Sequence, residues 1–334
     1  MEPVPLTLTF ATAQPEPGAS VTSYIDVSQC TALVARKFLR QGLNWGIAGF
    51  KLSSLGAGTI HIGKLPNTWV FSNSWHKSFS VWNRMNNDAM EENESVRPRF
   101  LDFKIYADGD HHTAGFGANL LPVSFTGAPA TPGEWTPSKV YVPIASTLTP
   151  APGIADMQDY ELIGTGASYP GISPVTGLDA VSLIEGYAAS RGLPNVLDPN
   201  VPDDAGDVAG LNPENWMTAI FNEGETSSLE VIDDMITENN IAPYPFENDG
   251  VNVDTMYPGG ANQLDGLEWH DTCNIYSTSG TTNIGQTRGK GGNFPCGIIK
   301  IVWTPTEGVP NLIIQLDMIP GTHRGYLAEP MQDM

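Results

Sequence analysis

Four runs constrain this chain most: "LNWGIAGFKLSS" (43–54) and "GTIHIGKL" (58–65) near its start, "CGIIKIVW" (296–303) and "PNLIIQLDMIP" (310–320) near its end. Each alternates apolar and polar residues between turn-forming borders, the period-two pattern of half-buried strands. The last two are the clearest strand pair in the sequence. "KVYVPI" (139–144) predicts a further strand. So does "FLDFKIYAD" (100–108), with Leu101, Phe103 and Ile105 on one side and Asp102, Lys104 and Tyr106 on the other. Strands from opposite ends of 334 residues must pair to close one core, as in Greek-key sandwiches. The 27 prolines and 35 glycines punctuate short elements and suit such a fold better than a helical bundle. The expected fold is therefore mainly β: a single jelly-roll, an antiparallel β-sandwich with helical and loop insertions.

Charge divides the chain. Residues 1–155 hold 11 acidic and 11 basic side chains, and residues 272–334 hold 4 of each. Residues 156–271 hold 22 acidic side chains and one base, Arg191, so the net charge of −21 belongs to this block alone. Such a block repels nucleic acid and is expected to face solvent, away from any phosphate partner. From Arg36 to Lys104 the balance reverses, with ten bases against five acids. The expected organisation is 1–155 as the first part of the sandwich core with two helices, 156–271 as an acidic loop-and-helix insertion on the outer surface, and 272–334 as the strands completing the core.

Two helices are expected in the first part. "SQCTALVARKFLRQG" (28–42) has Ser28 as N-cap, an apolar face of Cys30, Leu33, Val34 and Phe38, and Gly42 as terminator. "SNSWHKSFSVWNRMNNDAMEE" (72–92) puts Trp75, Phe79 and Trp82 on one face of about five turns. In the acidic block, "GLDAVSLIEGYAASRG" (177–192), "NPENWMTAIF" (212–221) and "SSLEVIDDMITENN" (227–240) read as helices, with an irregular loop at 194–210. The N-terminus has no charged segment followed by a long apolar one, so no signal peptide is expected, and no run reaches the ~18 apolar residues of a membrane span.

Candidate chemistry is sparse. "DGDHH" (108–112) offers Asp108, Asp110, His111 and His112, and D-x-D supplies two oxygen ligands for a cation such as Ca²⁺. Against a metal, adjacent histidines on an extended segment point to opposite faces, and residues 113–123 carry no charge. The alternative is a strand-end turn with its bend at Asp108–Gly109. "EWHD" pairs Glu268, His270 and Asp271, an acid–base grouping of a kind expected by chance among 37 acidic residues. No nucleophile motif is present, and the expectation is no catalytic residue, no metal and no cofactor. The three cysteines, Cys30, Cys273 and Cys296, fit no zinc spacing; a Cys273–Cys296 bridge and buried reduced thiols both remain open.

"STSGTTNIGQTRGKGGNFP" (277–295) resembles a phosphate loop only superficially, because Lys290 is followed by Gly291 rather than Ser or Thr. It reads as a flexible loop. Its Arg288 and Lys290, with Arg36, Lys37 and Arg40 on the exposed side of the first helix, form the expected nucleic-acid-binding set. Three to five such contacts are few for a monomer and considerable when repeated around a shell.

Four stretches carry a resemblance: "FLRQGLNWGIAGF" (38–50), "KLPNTWVFSNSWHKSFSVWNRM" (64–85), "DFKIYADGDHHTAGFGANLLPV" (102–123) and "PGTHRGYLAEPM" (320–331). Together they resemble the capsid proteins of small circular, replication-initiator-encoding single-stranded DNA viruses, especially the bacilladnavirus-like group. The resemblance spans the first 125 residues and the last dozen; the acidic middle has no counterpart. It implies a jelly-roll subunit that self-assembles with copies of itself into an icosahedral shell around single-stranded DNA. It implies a place in the virion, assembly inside the host cell, no membrane insertion and no catalysis. It also implies that the Asp108–Asp110 segment is a loop at or near a subunit contact. One departure is plain: the basic N-terminal arm common in such proteins is missing, since residues 1–35 contain no base. The alternative from a different class is a carbohydrate-binding or glycan-hydrolysing β-sandwich with tryptophans as sugar platforms. Trp69, Trp75 and Trp82 discriminate: core positions under the first reading, an open groove under the second. A trimeric receptor-binding or spike protein would share the β architecture.

Overall fold

The computed structural model describes residues 3–16, 18–91, 102–145, 157–167, 174–184, 266–276, 284–306, 308 and 310–333. In chain order the first elements are β1 (Thr7–Ala11), β2 (Val21–Asp26), α1 (Val27–Ala35), β3 (Leu43–Ser54), β4 (Gly58–Lys64), α2 (Trp69–Glu91) and α3 (Gly109–Ala114). Then follow β5 (Lys139–Ala145), β6 (Met157–Thr165), β7 (Asp179–Ser182), β8 (Glu268–Ile275) and β9 (Gly285–Phe294). The last are β10 (Ile298–Pro305), β11 (Leu312–Met318), β12 (Pro320–His323) and β13 (Ala328–Pro330). The chain is mainly β. It forms two compact units: residues 1–67, 114–136 and 267–334 make the first, 68–113 and 137–266 the second.

In the first unit, β1, β11, β3 and β9 form one antiparallel sheet, and β2, β10, β4 and β8 form another. β9 takes one edge of β3 along residues 45–54; β11 takes the other along 47–54, and β13 continues that edge at 43–45. Among the eight long strands of this unit the pairing is nested: first with last (β1–β11), second with seventh (β2–β10), third with sixth (β3–β9), fourth with fifth (β4–β8). The expected clearest pair, 296–303 with 310–320, is therefore corrected. Both strands exist, but β10 and β11 lie in opposite sheets, because the chain crosses between sheets after β10.

Period-two burial explains why one core results. Leu312, Ile314, Leu316 and Met318 of β11 turn inward while Gln315 and Asp317 turn out. Ile299, Ile301 and Trp303 of β10 do the same from the other sheet. These side chains meet Phe10, Ile25, Trp45, Phe50, Ile60 and Phe294 in one cluster. Two buried indoles keep hydrogen bonds inside it: Trp45 Nε1 donates to Ser28 Oγ (3.0 Å) and Trp303 Nε1 to the Pro310 carbonyl (2.9 Å).

Helix α1 starts and stops earlier than its sequence pattern suggests. The N-cap is Asp26, whose Oδ1 accepts from the amides of Ser28 (3.0 Å) and Gln29 (3.2 Å), while the Ser28 hydroxyl is taken by Trp45. Asp26 Oδ2 also accepts from Gln41 Nε2 and Trp135 Nε1, both at 3.0 Å. The helix ends at Ala35 because Arg36 adopts left-handed φ/ψ of 54° and 38°. Val27, Cys30 and Thr31 are buried, whereas Val34 and Phe38, expected on the apolar face, are exposed.

The expected flexible loop at 277–295 is corrected for its second half: 285–294 is β9, nine of whose residues face β3 in regular register. Alternation survives there as glycine inside and long side chain outside. A methyl at Gly289 would press on Ile62, Cys273 and Phe50, and one at Gly291 would fall on the carbonyls of Ile47 and Ala48, where β3 bulges against β11. Gln286, Arg288 and Lys290 point outward.

In the second unit β5 pairs antiparallel with β6, and β6 parallel with β7. β7 corrects the expected helix at 177–192 over its first part; the helices at 212–221 and 227–240 and the loop at 194–210 lie outside the described residues. The strand expected at 100–108 is corrected: Phe103 and Ile105 are buried as expected, but so is Tyr106, assigned to the polar side, and among the described residues the segment makes one parallel bridge, Tyr106 to Thr165. The α2 stripe is core packing: Trp75 stacks on Phe79 at 5.1 Å between ring centroids, and Trp75 and Trp82 approach Phe103 at 6.0 and 5.8 Å.

Candidate nucleic-acid interface

The five expected cations fall in two places. After the left-handed turn at Arg36, Leu39 is buried while Arg36, Phe38 and Arg40 face outward. Lys37 Nζ donates to the Arg324 carbonyl at 3.2 Å. Burial, then the charges of Arg324 and Arg40, holds the His323 imidazole below its usual pKa. Arg324, which no sequence pattern links to Arg36, Lys37 and Arg40, therefore belongs to the same cationic group. Beside it α1 and residues 132–135 enclose a groove of about 320 Å³ lined by Leu33, Arg36, Lys37, Phe38, Glu134 and Trp135. Phe38 is 69 % exposed at its rim, and the Trp135 indole is held by Asp26. Cations beside an exposed aromatic ring suit single-stranded nucleic acid, which offers phosphates and unstacked bases.

The second group lies on the outer face of the β1–β11–β3–β9 sheet. Register places Lys51 opposite Arg288 on one side and Gln315 on the other. Lys51 was legible from the alternation of Phe50, Lys51 and Leu52, yet the expected set omitted it. Lys290 is more constrained: its amide donates to Asp271 Oδ2 at 2.8 Å and its Nζ lies 3.9 Å from Asp271 Oδ1. Lys51 is eight residues along β3 from Leu43, about 26 Å at strand rise, so the structure does not join the two groups into one site.

The Asp108–His112 segment is not a strand-end turn but the start of α3. Asp108 Oδ1 accepts from the His111 amide at 2.9 Å, and the His112 amide donates to the Asp108 carbonyl at 3.1 Å. His111 Nδ1 accepts from the Ala107 amide (3.1 Å), which leaves its proton on Nε2. Both imidazoles are buried, with the Tyr106 ring 5.0 and 5.1 Å away. His112 Nε2 lies 2.9 Å from Thr176 Oγ1, and burial lowers its pKa to about 4. Among the described residues no three His, Cys, Asp or Glu side chains gather where a metal ion would sit.

"EWHD" forms the start of β8, where the strand approaches Lys290 of β9. Glu268 faces Lys64 at 3.5 Å, and His270 Nε2 lies 3.0 Å from the Lys290 carbonyl with its ring 4.8 Å from Phe294. Burial opposes ionisation of Asp271, but the amides of Lys290 and Thr272 and the Lys290 charge outweigh it and hold the carboxyl below its ordinary pKa. These groups hold the start of β8 to β9. Cys30, Cys273 and Cys296 are buried and form no disulfide; burial, then the Asp271 charge, pushes Cys273 up to about 11.

No protein-family model, curated protein or solved structure matches this chain. Among the described residues no helix is long and apolar enough to cross a membrane.

Proposed function

We propose that this chain is the coat subunit of a small single-stranded DNA virus: a single jelly roll whose copies assemble into an icosahedral shell around the genome, forming the virion inside the host cell. The nested strand order carries the reading. A jelly roll is an antiparallel hairpin of four strand pairs wound on itself, so its eight strands pair one with eight, two with seven, three with six and four with five. The eight long strands of the first unit pair in that sequence. The second unit enters the chain between the fourth and fifth strands, where an insertion leaves the nested pairing intact. The burial of Trp75 and the packing of Trp82 on Phe103 favour a core role over a sugar groove for that stripe; the Trp69 side chain lies outside the described residues.

The genome contacts of this reading are the Arg36–Lys37–Arg40–Arg324 group and the Lys51–Arg288–Lys290 face. Both are small, so DNA binding is weak per subunit and gains from repetition around the shell. The test is light scattering and nuclease protection on the purified chain. Uniform particles tens of nanometres across that shield single-stranded DNA support the proposal; a monomer or small oligomer under all assembly conditions refutes it. The carbohydrate-binding alternative keeps one observation in its favour, an exposed tryptophan on the other sheet.

A further inference from the structure

We infer that the outer face of the β2–β10–β4–β8 sheet carries a saccharide-binding site centred on Trp269, a site that does not depend on the shell-forming role. Trp269 is 64 % exposed on an edge strand, where an indole loses hydrophobic stabilisation unless something covers it. Its exposure is built rather than incidental. Across the β4–β8 pair, Ile62 faces Asp271 but Gly63 faces Trp269, so His270 is an extra residue. That bulge shifts the side-chain phase by one, and residues 269 and 272, which alternation would send to opposite faces, both point outward. Trp269 Nε1 thereby reaches Thr272 Oγ1 at 2.8 Å. His61, opposite Thr272, brings Nδ1 to 3.3 Å from the same hydroxyl and its ring centroid to 4.5 Å from the indole. The hydroxyl accepts from the indole and lies within hydrogen-bond distance of the His61 ring nitrogen. The indole's only polar atom is satisfied within the protein, its tilt is fixed, and what it offers solvent is aromatic carbon.

The surroundings select the ligand. Beyond Trp269 and His61, the outward side chains of the neighbouring rows are Thr22, Val302 and Thr272, then Thr304, Thr59 and Asn274, with Tyr276 exposed at the far end of the strand. The Thr59 hydroxyl donates to Asn274 Oδ1 at 3.0 Å, which orients the amide NH₂ as a donor pair. The carboxylates that flank the indole in sequence are each paired with a lysine, Glu268 with Lys64 at 3.5 Å and Asp271 with Lys290 at 3.9 Å, and Lys300, across Gly63 from Trp269, holds its ammonium over the Tyr24 ring. With these charges engaged elsewhere, a neutral pyranose matches the face. Its polarised C–H bonds rest on the negative face of the indole and its hydroxyls meet threonine, asparagine and imidazole groups. Trp269 and Tyr276 are seven residues apart, roughly 23 Å along the strand, so the face suits an oligosaccharide rather than one sugar.

The test is saturation-transfer NMR and calorimetry on the full chain with maltohexaose, cellohexaose and N-acetylchitohexaose, and with a 20-nucleotide oligo-dT as the polyanion arm. At least one neutral oligosaccharide is expected to bind, with Trp269→Ala weakening it by about tenfold or more, the scale of losing one stacking platform. Thr272→Val, which frees the indole N–H without removing the ring, is expected to weaken it less, and Trp82→Ala not at all. Circular dichroism checks that the variants fold. Failure of all three sugars to bind, equal binding by Trp269→Ala, binding of oligo-dT alone through Trp269, or occlusion of Trp269 by a second copy in the native assembly would each overturn the inference.

Discussion

Replacing Gly291 by alanine separates the two accounts of residues 285–294 by the sign of the effect. On a flexible surface loop, Gly→Ala restricts the unfolded chain and stabilises by about 0.4–1 kcal/mol. In β9 the added methyl falls on the Ile47 and Ala48 carbonyls, at the point where the β3 bulge turns its backbone toward the neighbouring strand. Backbone atoms cannot swing aside as a side chain end can, so β3 and β9 must separate locally. Overpacking costs about 1–3 kcal/mol, and loosened ladder hydrogen bonds push this site to the upper end, near 3 kcal/mol. With a urea m-value of about 3 kcal/mol/M, the unfolding midpoint falls by about 1 M. Urea titration of the dissociated subunit by far-UV circular dichroism reads the shift, with Gln286→Ala, an outward position, as control. An unchanged or raised midpoint for Gly291→Ala would refute the placement of β9 against β3.

Three further outcomes follow from the structure. Asp26→Ala removes a helix cap and the acceptor shared by two side-chain donors at once, a loss of about 3 kcal/mol or more in thermal or urea unfolding, with Asp26→Asn milder because Oδ1 can still cap α1. His112 is held neutral by burial with a pKa of about 4, below its unfolded value of 6.5, so its share of stability is complete above pH 6.5 and lost as pH falls toward 4; His112→Gln is expected to flatten unfolding midpoints across that window relative to the parent. For oligo-dT, the triple change Arg36→Ala, Lys37→Ala, Arg40→Ala is expected to lower the slope of log K against log salt by about 2, and a slope equal to the parent's removes this group from the interface.

Most of the sandwich was legible, and the residues that hid the rest did so for identifiable reasons. β3, β4, β5, β10 and β11 announce themselves because branched or aromatic side chains alternate with polar ones. β9 does not, because glycines stand where its inward side chains would be and the close approach of β3 that requires them is a tertiary fact. β7 reads as helix since "LDAVSLI" fits both periods over so few residues. Ser28 fits an N-cap by type, but Trp45 claims its hydroxyl and Asp26, two residues back, caps instead. The cationic sites show the same division. Arg36, Lys37 and Arg40 are neighbours in sequence, Lys51 follows from strand phase, but only the fold brings Arg324 to them. Trp269 was hidden because its outward phase depends on a bulge set by pairing with β4.

The measurement that tests the central claim most directly is electron cryo-microscopy of the purified chain after assembly. The account predicts closed icosahedral particles in which each subunit's density shows two facing four-stranded sheets ordered β1–β11–β3–β9 and β2–β10–β4–β8. Discrete monomers or trimers, or a shell whose subunits trace a different strand order, would contradict it.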